Sequence, residues 1–291
     1  MSARNLTDFS VRCAWLEASG VTVQVSGKTL LKSASVRFAA GQVTAILGPN
    51  GAGKSTLMSV LTGQRQPSSG QVQLAGQSLA TYAHPQLARL RACVAQETQV
   101  AFEFSVREVV ELGRYPHRRQ PSPHESAIAG QAMQATAVDH LQLRALNTLS
   151  GGEKARVHLA RALAQIWEPV LDVDGVPVPR WLLLDEPTAA LDLQHQHRVL
   201  QLVRRWACEE GVGVVTVLHD LNLALRYSDH CVVLQGGQVV GNGVSAEVLT
   251  PACIRQVWDV LARPVRVNRL LPDGRCELQY VFEPVATPAG C

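Results

Sequence analysis

Gly48-Pro49-Asn50-Gly51-Ala52-Gly53-Lys54-Ser55-Thr56 stands between an apolar run, Val43-Thr44-Ala45-Ile46-Leu47, and a helix-like run, Leu57-Met58-Ser59-Val60-Leu61. It satisfies G-x-x-x-x-G-K-[ST] with a strand before it and a helix after it. A glycine-rich turn that opens a helix aims several backbone N–H groups and the positive end of the helix dipole at one point, where a chain of phosphates settles. The stretch therefore predicts a nucleotide site on an α/β fold. Lys54 is expected to reach the β- and γ-phosphates, Ser55 to ligate a magnesium ion, and Thr56 to donate on the α-phosphate side. Gly48 to Gly53 supply the backbone of the cradle.

A chain of 291 residues suits one large α/β domain with a smaller lobe, and 46% hydrophobic residues are enough for its core. Charged residues make up 18% and the formal net charge is +3, too weak and too dispersed for a nucleic-acid binder. Apolar runs such as residues 211–218 end within a strand's length, short of the roughly 20 residues a bilayer-spanning helix needs. The N-terminus has no apolar h-region. A cytoplasmic protein is expected. The seven cysteines are scattered and never in C-x-x-C spacing, as for reduced structural thiols.

Short alternating apolar runs in residues 14–38, broken at Ser26-Gly27-Lys28, predict a hairpin in an antiparallel lobe. After the phosphate loop, residues 67–70 form a turn, 71–74 a strand and 85–91 a short helix. Ala92-Cys93-Val94-Ala95 is then a buried strand that delivers Gln96 to its C-terminal end, where an open α/β sheet places its ligands. From Gln96 to Asn147 the pattern turns helical, with apolar faces at Val106, Val109, Val110 and Leu112 and again over 127–141. Between them, residues 114–123 read as an exposed basic loop. Ser150 is a natural N-cap for the helix beyond, and Gly151 and Gly152 open its start to close backbone approach, making a second anion-binding helix terminus. Residues 167–180 read as a surface excursion, its Asp172-Val173-Asp174-Gly175 a turn rather than a calcium loop. Trp181-Leu182-Leu183-Leu184 is a buried parallel strand ending at Asp185-Glu186. A helix follows over 192–210, a strand over 212–218 ends at His219, and a helix covers 221–227. A hairpin turns at Gly236-Gly237, a terminal helix spans 248–260, and the tail beyond 264 holds only short strands.

The phosphate loop, Gln96, Leu149-Ser150-Gly151-Gly152-Glu153, Asp185-Glu186 and His219 follow one another in an order that resembles the ATP-binding cassette family, over residues 14–258. The resemblance implies a P-loop ATPase fold with an antiparallel β lobe and an inserted helical subdomain at about 97–160. Residues 14–260 form the ATPase domain and 261–291 a short C-terminal extension. It further implies a head-to-tail homodimer with two ATP molecules, each between one copy's phosphate loop and the other's Ser150, Gly151 and Gly152. By the same resemblance Asp185 helps Ser55 hold Mg2+, Glu186 is the general base, Gln96 contacts metal and water, and His219 contacts the γ-phosphate. Such an arrangement suits phosphoryl transfer to water. The segment Ala189-Ala190-Leu191-Asp192 matches the loop that contacts the partner site, with Ala where the family commonly has Ser.

Phe104 to His117 resembles the ATPases of importers of siderophores, cobalamin and haem, and the extra residues 167–180 are similar to those of the hemin importer group. The expectation is an ATPase that energises a haem importer at the cytoplasmic face of the inner membrane. It pairs two-plus-two with permease subunits and is served indirectly by a periplasmic haem-binding protein. An importer of a siderophore or cobalamin is the alternative. A soluble cassette acting on nucleic acid or ribosomes would call for two fused cassettes, a long coiled-coil insertion or a basic surface, none of which is present. A purely nucleotide-sensing module is at odds with an intact Lys54, Asp185, Glu186 and His219. One departure matters. Val25-Ser26-Gly27 occupies the place of the family's adenine-stacking aromatic, so loose base recognition is expected. His195 and His197, two apart on a helix, point to different faces and read as solvated surface.

Overall fold

Trp15–Val25 (β1) and Lys28–Ala39 (β2) alternate buried and exposed side chains and pair antiparallel, as expected of a sheet with one wet face. The two residues between them, Ser26 and Gly27, both have positive φ, which matches the right-handed twist of the strands. Val43–Leu47 (β3) is buried at every position and feeds the turn before Lys54–Leu61 (α1). Ser69–Leu74 (β4) returns beside β1, and Gln77–Ser78 (β5) completes a four-stranded antiparallel sheet in the order β2-β1-β4-β5. The computed structural model describes residues 15–95, 103–270 and 276–284. Gln96 lies outside them, just beyond His84–Leu90 (α2) and Arg91–Val94 (β6).

The helical region comprises Val106–Glu111 (α3), Glu125–Ala135 (α4) and Gly151–Gln165 (α5). Ser105 and Glu108 close a capping box on α3, satisfying two otherwise orphaned N–H groups. The helix expected over 127–141 stops early: Ala137 takes a positive φ of 55° and the chain re-enters as a short 3-10 turn at Asp139–Leu141. Residues 114–123 are also not the open basic loop that the sequence suggests. Leu112–His117 is a 3-10 turn, and Arg114 is buried between α4 and the end of α5. Its guanidinium donates to Glu125 Oε1 (2.9 Å) and Oε2 (2.8 Å) and to the Ala164 carbonyl (2.8 Å), with Glu168 3.6 Å away. Gly113 makes that seat possible, because a Cβ there would lie 2.2 Å from the Arg161 carbonyl oxygen.

Residues 167–180 form a small ribbon, Val170–Leu171 (β7) against Pro177–Val178 (β8), turned by Asp172 Oδ1, which accepts from the Asp174 and Val176 amides. Its tip is exposed, yet its base is anchored: Trp167 packs edge-on against Trp206, and buried Arg180 donates to the Ile166 and Trp167 carbonyls. Trp181–Leu184 (β9), Leu193–Glu210 (α6), Gly213–Val217 (β10) and Leu221–Tyr227 (α7) follow, with His230–Gln235 (β11) and Gln238–Val244 (β12) as a hairpin. The central sheet runs β12-β11-β3-β10-β9-β6, parallel except for β12. The terminal helix expected over 248–260 is two pieces, Ser245–Val248 (α8) and Pro251–Trp258 (α9), because Thr250 caps the Cys253 amide and Pro251 begins a new helix. The tail is more regular than its weak alternation suggests: Ala262–Leu270 (β13) and Cys276–Pro284 (β14) pair over nine residues each.

Three apolar clusters hold these layers. One lies between the sheet and α3, α4, α5 and α6, one between the sheet, α1 and the antiparallel lobe, and one under α7 and α9. Cys231 belongs to the third, and burial pushes its thiol up to about 12, so it is an inert core residue. Among the described residues no helix is long and apolar enough to cross a membrane.

Candidate functional site

The parallel strands aim their C-terminal ends at one crevice. β3 opens it with the phosphate loop, whose first glycine, Gly48, has φ 146° and leaves no room for a side chain: a Cβ would sit 2.2 Å from the Leu234 carbonyl oxygen. Lys54, 6% exposed, extends back along the loop and donates to the Gly48 carbonyl (2.8 Å) and the Pro49 carbonyl (3.0 Å). Burial lowers its pKa, while Glu186 and Asp185 oppose that shift. Asn50, Gly51, Gly53, Ser55 and Thr56 line a cavity of about 400 Å3 together with Lys54 and Glu186.

β9 contributes the acidic pair. Asp185 accepts a hydrogen bond from Ser55, and burial, then the neighbouring Glu186 charge, pushes its carboxyl above the usual range. Its Oδ1 is buried with no hydrogen-bond partner. An orphaned carboxylate oxygen beside a serine hydroxyl is the hard oxygen donor set that a divalent cation such as Mg2+ takes, so these residues fit that ion. Glu186 has φ 53°, a left-handed backbone that a residue with a Cβ adopts only at a cost of about 1–2 kcal/mol. The bend turns its carboxylate to the end of β10, where His219 Nε2 lies 2.7 Å from Glu186 Oε1. Two residues 33 positions apart in sequence are thus paired by adjacent parallel strands.

Ser150 caps α5 as expected: its Oγ accepts from the Glu153 amide (3.3 Å), and the Glu153 carboxylate accepts from the Ser150 amide (2.8 Å). These bonds hold the Glu153 carboxyl below its usual range. Gly151 packs beside Ala190, and a Cβ on Gly152 would come 3.1 Å from the Ala190 carbonyl oxygen. Gly151 faces the Asp185-Glu186 turn across a separate cavity of about 320 Å3. Among the described residues, neither it nor Ser150 nor Gly152 lines the phosphate-loop cavity. The structure therefore brings Lys54, Ser55, Asp185, Glu186 and His219 together, and leaves residues 150–152 outside.

Three participants were not legible as such. Gly236-Gly237 reads as an ordinary hairpin turn, but it folds onto the loop, where the Gly237 amide donates to the Ala52 carbonyl (3.0 Å). Thr29 and Leu30 close the same cavity from the antiparallel lobe. Arg91 caps the C-terminal end of α1 by donating to the Leu61 carbonyl (2.8 Å). All are long-range contacts with no local pattern. His195 and His197 differ from the solvated surface expected of them: His195 Nδ1 lies 2.8 Å from Asp192 Oδ1, and half-buried His197 Nδ1 lies 2.7 Å from the Tyr227 hydroxyl.

No aromatic side chain lines the cavity among the described residues, and Val25 is 38% exposed. A stacked aromatic contributes on the order of 1 kcal/mol or more. GTP is therefore expected to compete with ATP within about tenfold, read by displacement of a fluorescent nucleotide. A strong ATP preference that survives substitution of residues 15–29 would contradict this.

The ABC transporter family model matches residues 31–189. A hemin import ATP-binding protein of Gloeobacter violaceus is 46% identical over 256 residues, covering 88% of this chain and 91% of that protein. The protein of the same name from Escherichia coli O157:H7 is 42% identical, covering 84% and 91%. Among solved structures, a dimeric bacterial ABC transporter cassette superposes with a TM-score of 0.68 at 25% identity, over 79% of this chain and 98% of that one. The same cassette is known as a dimer in a post-hydrolysis state bound to ADP and phosphate. With the phosphate loop, the acidic strand end and the capped helix in one order on one sheet, the chain belongs to the ABC transporter family, as one of its ATP-hydrolysing cassettes.

Proposed function

We propose that this cassette energises a hemin importer, with residues 14–260 as its ATPase domain, 97–160 the helical subdomain within it and 261–291 a C-terminal extension. The observation that carries the catalytic part is the pairing of Glu186 with His219 at 2.7 Å on the rim of the phosphate-loop cavity. Lys54 and the loop amides receive the β- and γ-phosphates. Ser55 and Asp185, with Gln96, would hold Mg2+, which would supply neutralisation of the phosphate charge. Glu186 takes the proton of the attacking water, and His219 orients that carboxylate and donates to the γ-phosphate side.

A second copy completes the site. Because Ser150 to Gly152 lie outside their own chain's phosphate-loop cavity, their N–H groups serve the γ-phosphate of the partner copy, and nucleotide binding becomes dimerisation energy. The cargo follows from the relatives named for hemin import, at 42–46% identity over most of their length. Membrane coupling goes through permease subunits, two with two cassettes, at the cytoplasmic face of the inner membrane, and a periplasmic haem-binding protein delivers the cargo. The contact surface is the exposed face of Leu112, Tyr115 and Arg118, where the Arg118 guanidinium lies 4.1 Å over the Tyr115 ring. Arg114, which the sequence places in an exposed basic loop, is buried and does not contribute.

Reconstitution with the cognate permease in lipid vesicles tests the proposal. ATP-dependent haem accumulation is expected, rising when the haem-loaded binding protein is added. Vesicles that accumulate a ferric siderophore or cobalamin but not haem would reject the cargo and leave the ATPase standing.

A further inference from the structure

A third cavity, of about 340 Å3, lies between the helical region and α6, far along the chain from the phosphate loop. Among the described residues, every ionisable side chain lining it is a base: Arg156, His195, Arg198 and Arg205. Arg156 comes from α5, six residues after the Ser150 cap, and is only 8% exposed. It donates to the Ala137 carbonyl (2.6 Å) and, at 3.4 Å, to that of Thr136, while its Nε is buried without a partner. His195, Arg198 and Arg205 come from α6 at spacings of three and seven, so they share one helix face.

The carboxylates that act on Arg156 are already engaged. Glu153 is held by the amide and hydroxyl of Ser150, at 2.8 and 2.9 Å, and Asp192 caps α6 through the His195 amide at 2.8 Å. Burial lowers the pKa of Arg156; Glu153 and Asp192 counter this, and the Arg198 charge lowers it further. Arg198 and Arg205 are exposed and enter no ion pair among the described residues. A cleft lined by one sign of charge focuses its field and concentrates counter-ions. Guanidinium forks favour phosphate and carboxylate, which they grip through two parallel hydrogen bonds. The floor is apolar, formed by Ala135, Val199 and Leu202, and the volume falls at the small end of ligand pockets.

We propose that this cavity binds a compact organic polyanion, a phosphate ester or a polycarboxylate, gripped by Arg156 from one side and Arg198 and Arg205 from the other. Its place gives the ligand leverage. α5 begins at Gly151 behind the Ser150 cap, and α6 begins at Leu193 behind the Asp192 cap that follows the 185–191 segment, so an occupant ties the helix that leads to the partner copy's nucleotide to the one that leads from this chain's acidic pair. A ligand that prefers one arrangement of those helices changes ATP turnover, and one that prefers neither does not. The turnover effect rests on the ATPase reading above, whereas the binding does not.

The test uses the full chain saturated with magnesium and a non-hydrolysable ATP analogue, so that the phosphate loop is filled. Glycerol 3-phosphate and tricarballylate are titrated separately by calorimetry. Saturable binding of at least one of them, one per chain, is expected, and it should weaken at least tenfold in the surface double variant Arg198→Glu, Arg205→Glu. Preference for the first probe assigns a phosphate ester, and preference for the second a carboxylate. Saturable binding by neither probe, or equal binding by the double variant, overturns the site. At saturating probe the ATP turnover of the parent should change at least twofold and that of the double variant should not. Binding with no change in the parent's turnover removes the regulatory role alone.

Discussion

Glu186→Gln should bind ATP within a few-fold of the parent chain, hydrolyse it at least a hundredfold more slowly, and accumulate as a nucleotide-bound dimer. The substitution keeps the size of the side chain and one hydrogen-bonding oxygen, so the 2.7 Å approach to His219 and the bend at φ 53° remain satisfiable. What it removes is the proposed proton acceptor, and a positioned general base is worth about 10²–10⁴ in rate. Loop and helix amides are untouched, so the electrostatic part of nucleotide binding persists while the step that releases it stalls. Size-exclusion chromatography with ATP and magnesium, beside a phosphate-release assay, reads both halves. Undiminished hydrolysis would take the base role away from Glu186; a monomer that binds ATP would sink the shared site.

Arg114→Met should lower the midpoint of thermal unfolding by roughly 4–12 °C at pH 7, with Arg118→Met close to the parent. Arg114 is 6% exposed and makes two bonds to the Glu125 carboxylate and one to the Ala164 carbonyl. Removing one partner of a buried ion pair costs about 3–5 kcal/mol; Glu125 and Glu168 are each about a third exposed, which reduces the expectation to about 2–3 kcal/mol. The pH dependence has a definite sign. Arg114 is the main cause that holds the Glu125 carboxyl below its ordinary value, so the stabilisation is present above that value and fades as pH falls through the depressed one. The gap between parent and variant should therefore narrow in acid. A variant as stable as the parent at neutral pH would return Arg114 to the surface role its sequence context suggests.

Arg114 shows where sequence reading stops. In the chain it stands among Tyr115, Pro116, His117, Arg118 and Arg119, a setting indistinguishable from a solvated basic loop; it is buried because Gly113 lets the 3-10 turn lie against α5 and because Glu125 and Glu168 arrive from other elements. Arg180 and Trp167 repeat the lesson, since an aperiodic, proline-bearing stretch conceals a buried arginine and a ring packed on Trp206. Of the two helix breaks, the one at Thr250 is marked in the sequence by Thr250-Pro251, whereas the one after Ala135 carries no such mark because the apolar period runs on through it.

By itself the sequence determined the local elements that carry the site. The phosphate loop between β3 and α1, the Ser150 cap with its Glu153 partner, the buried β9 run ending in Asp185-Glu186 and the β10 run ending in His219 each follow from residue types at fixed spacing, because strand burial, helix capping and tight turns act over a few residues. Only the tertiary structure decided which ends meet. The strand order β3-β10-β9 sets His219 beside Glu186, the β11–β12 turn seats Gly237 against Ala52, and the shared apolar cluster to which α5 and α6 both contribute collects Arg156, Arg198 and Arg205 into one cavity. Such contacts join residues tens of positions apart and are chosen by the burial of whole sheet and helix faces, a collective quantity that no single stretch encodes.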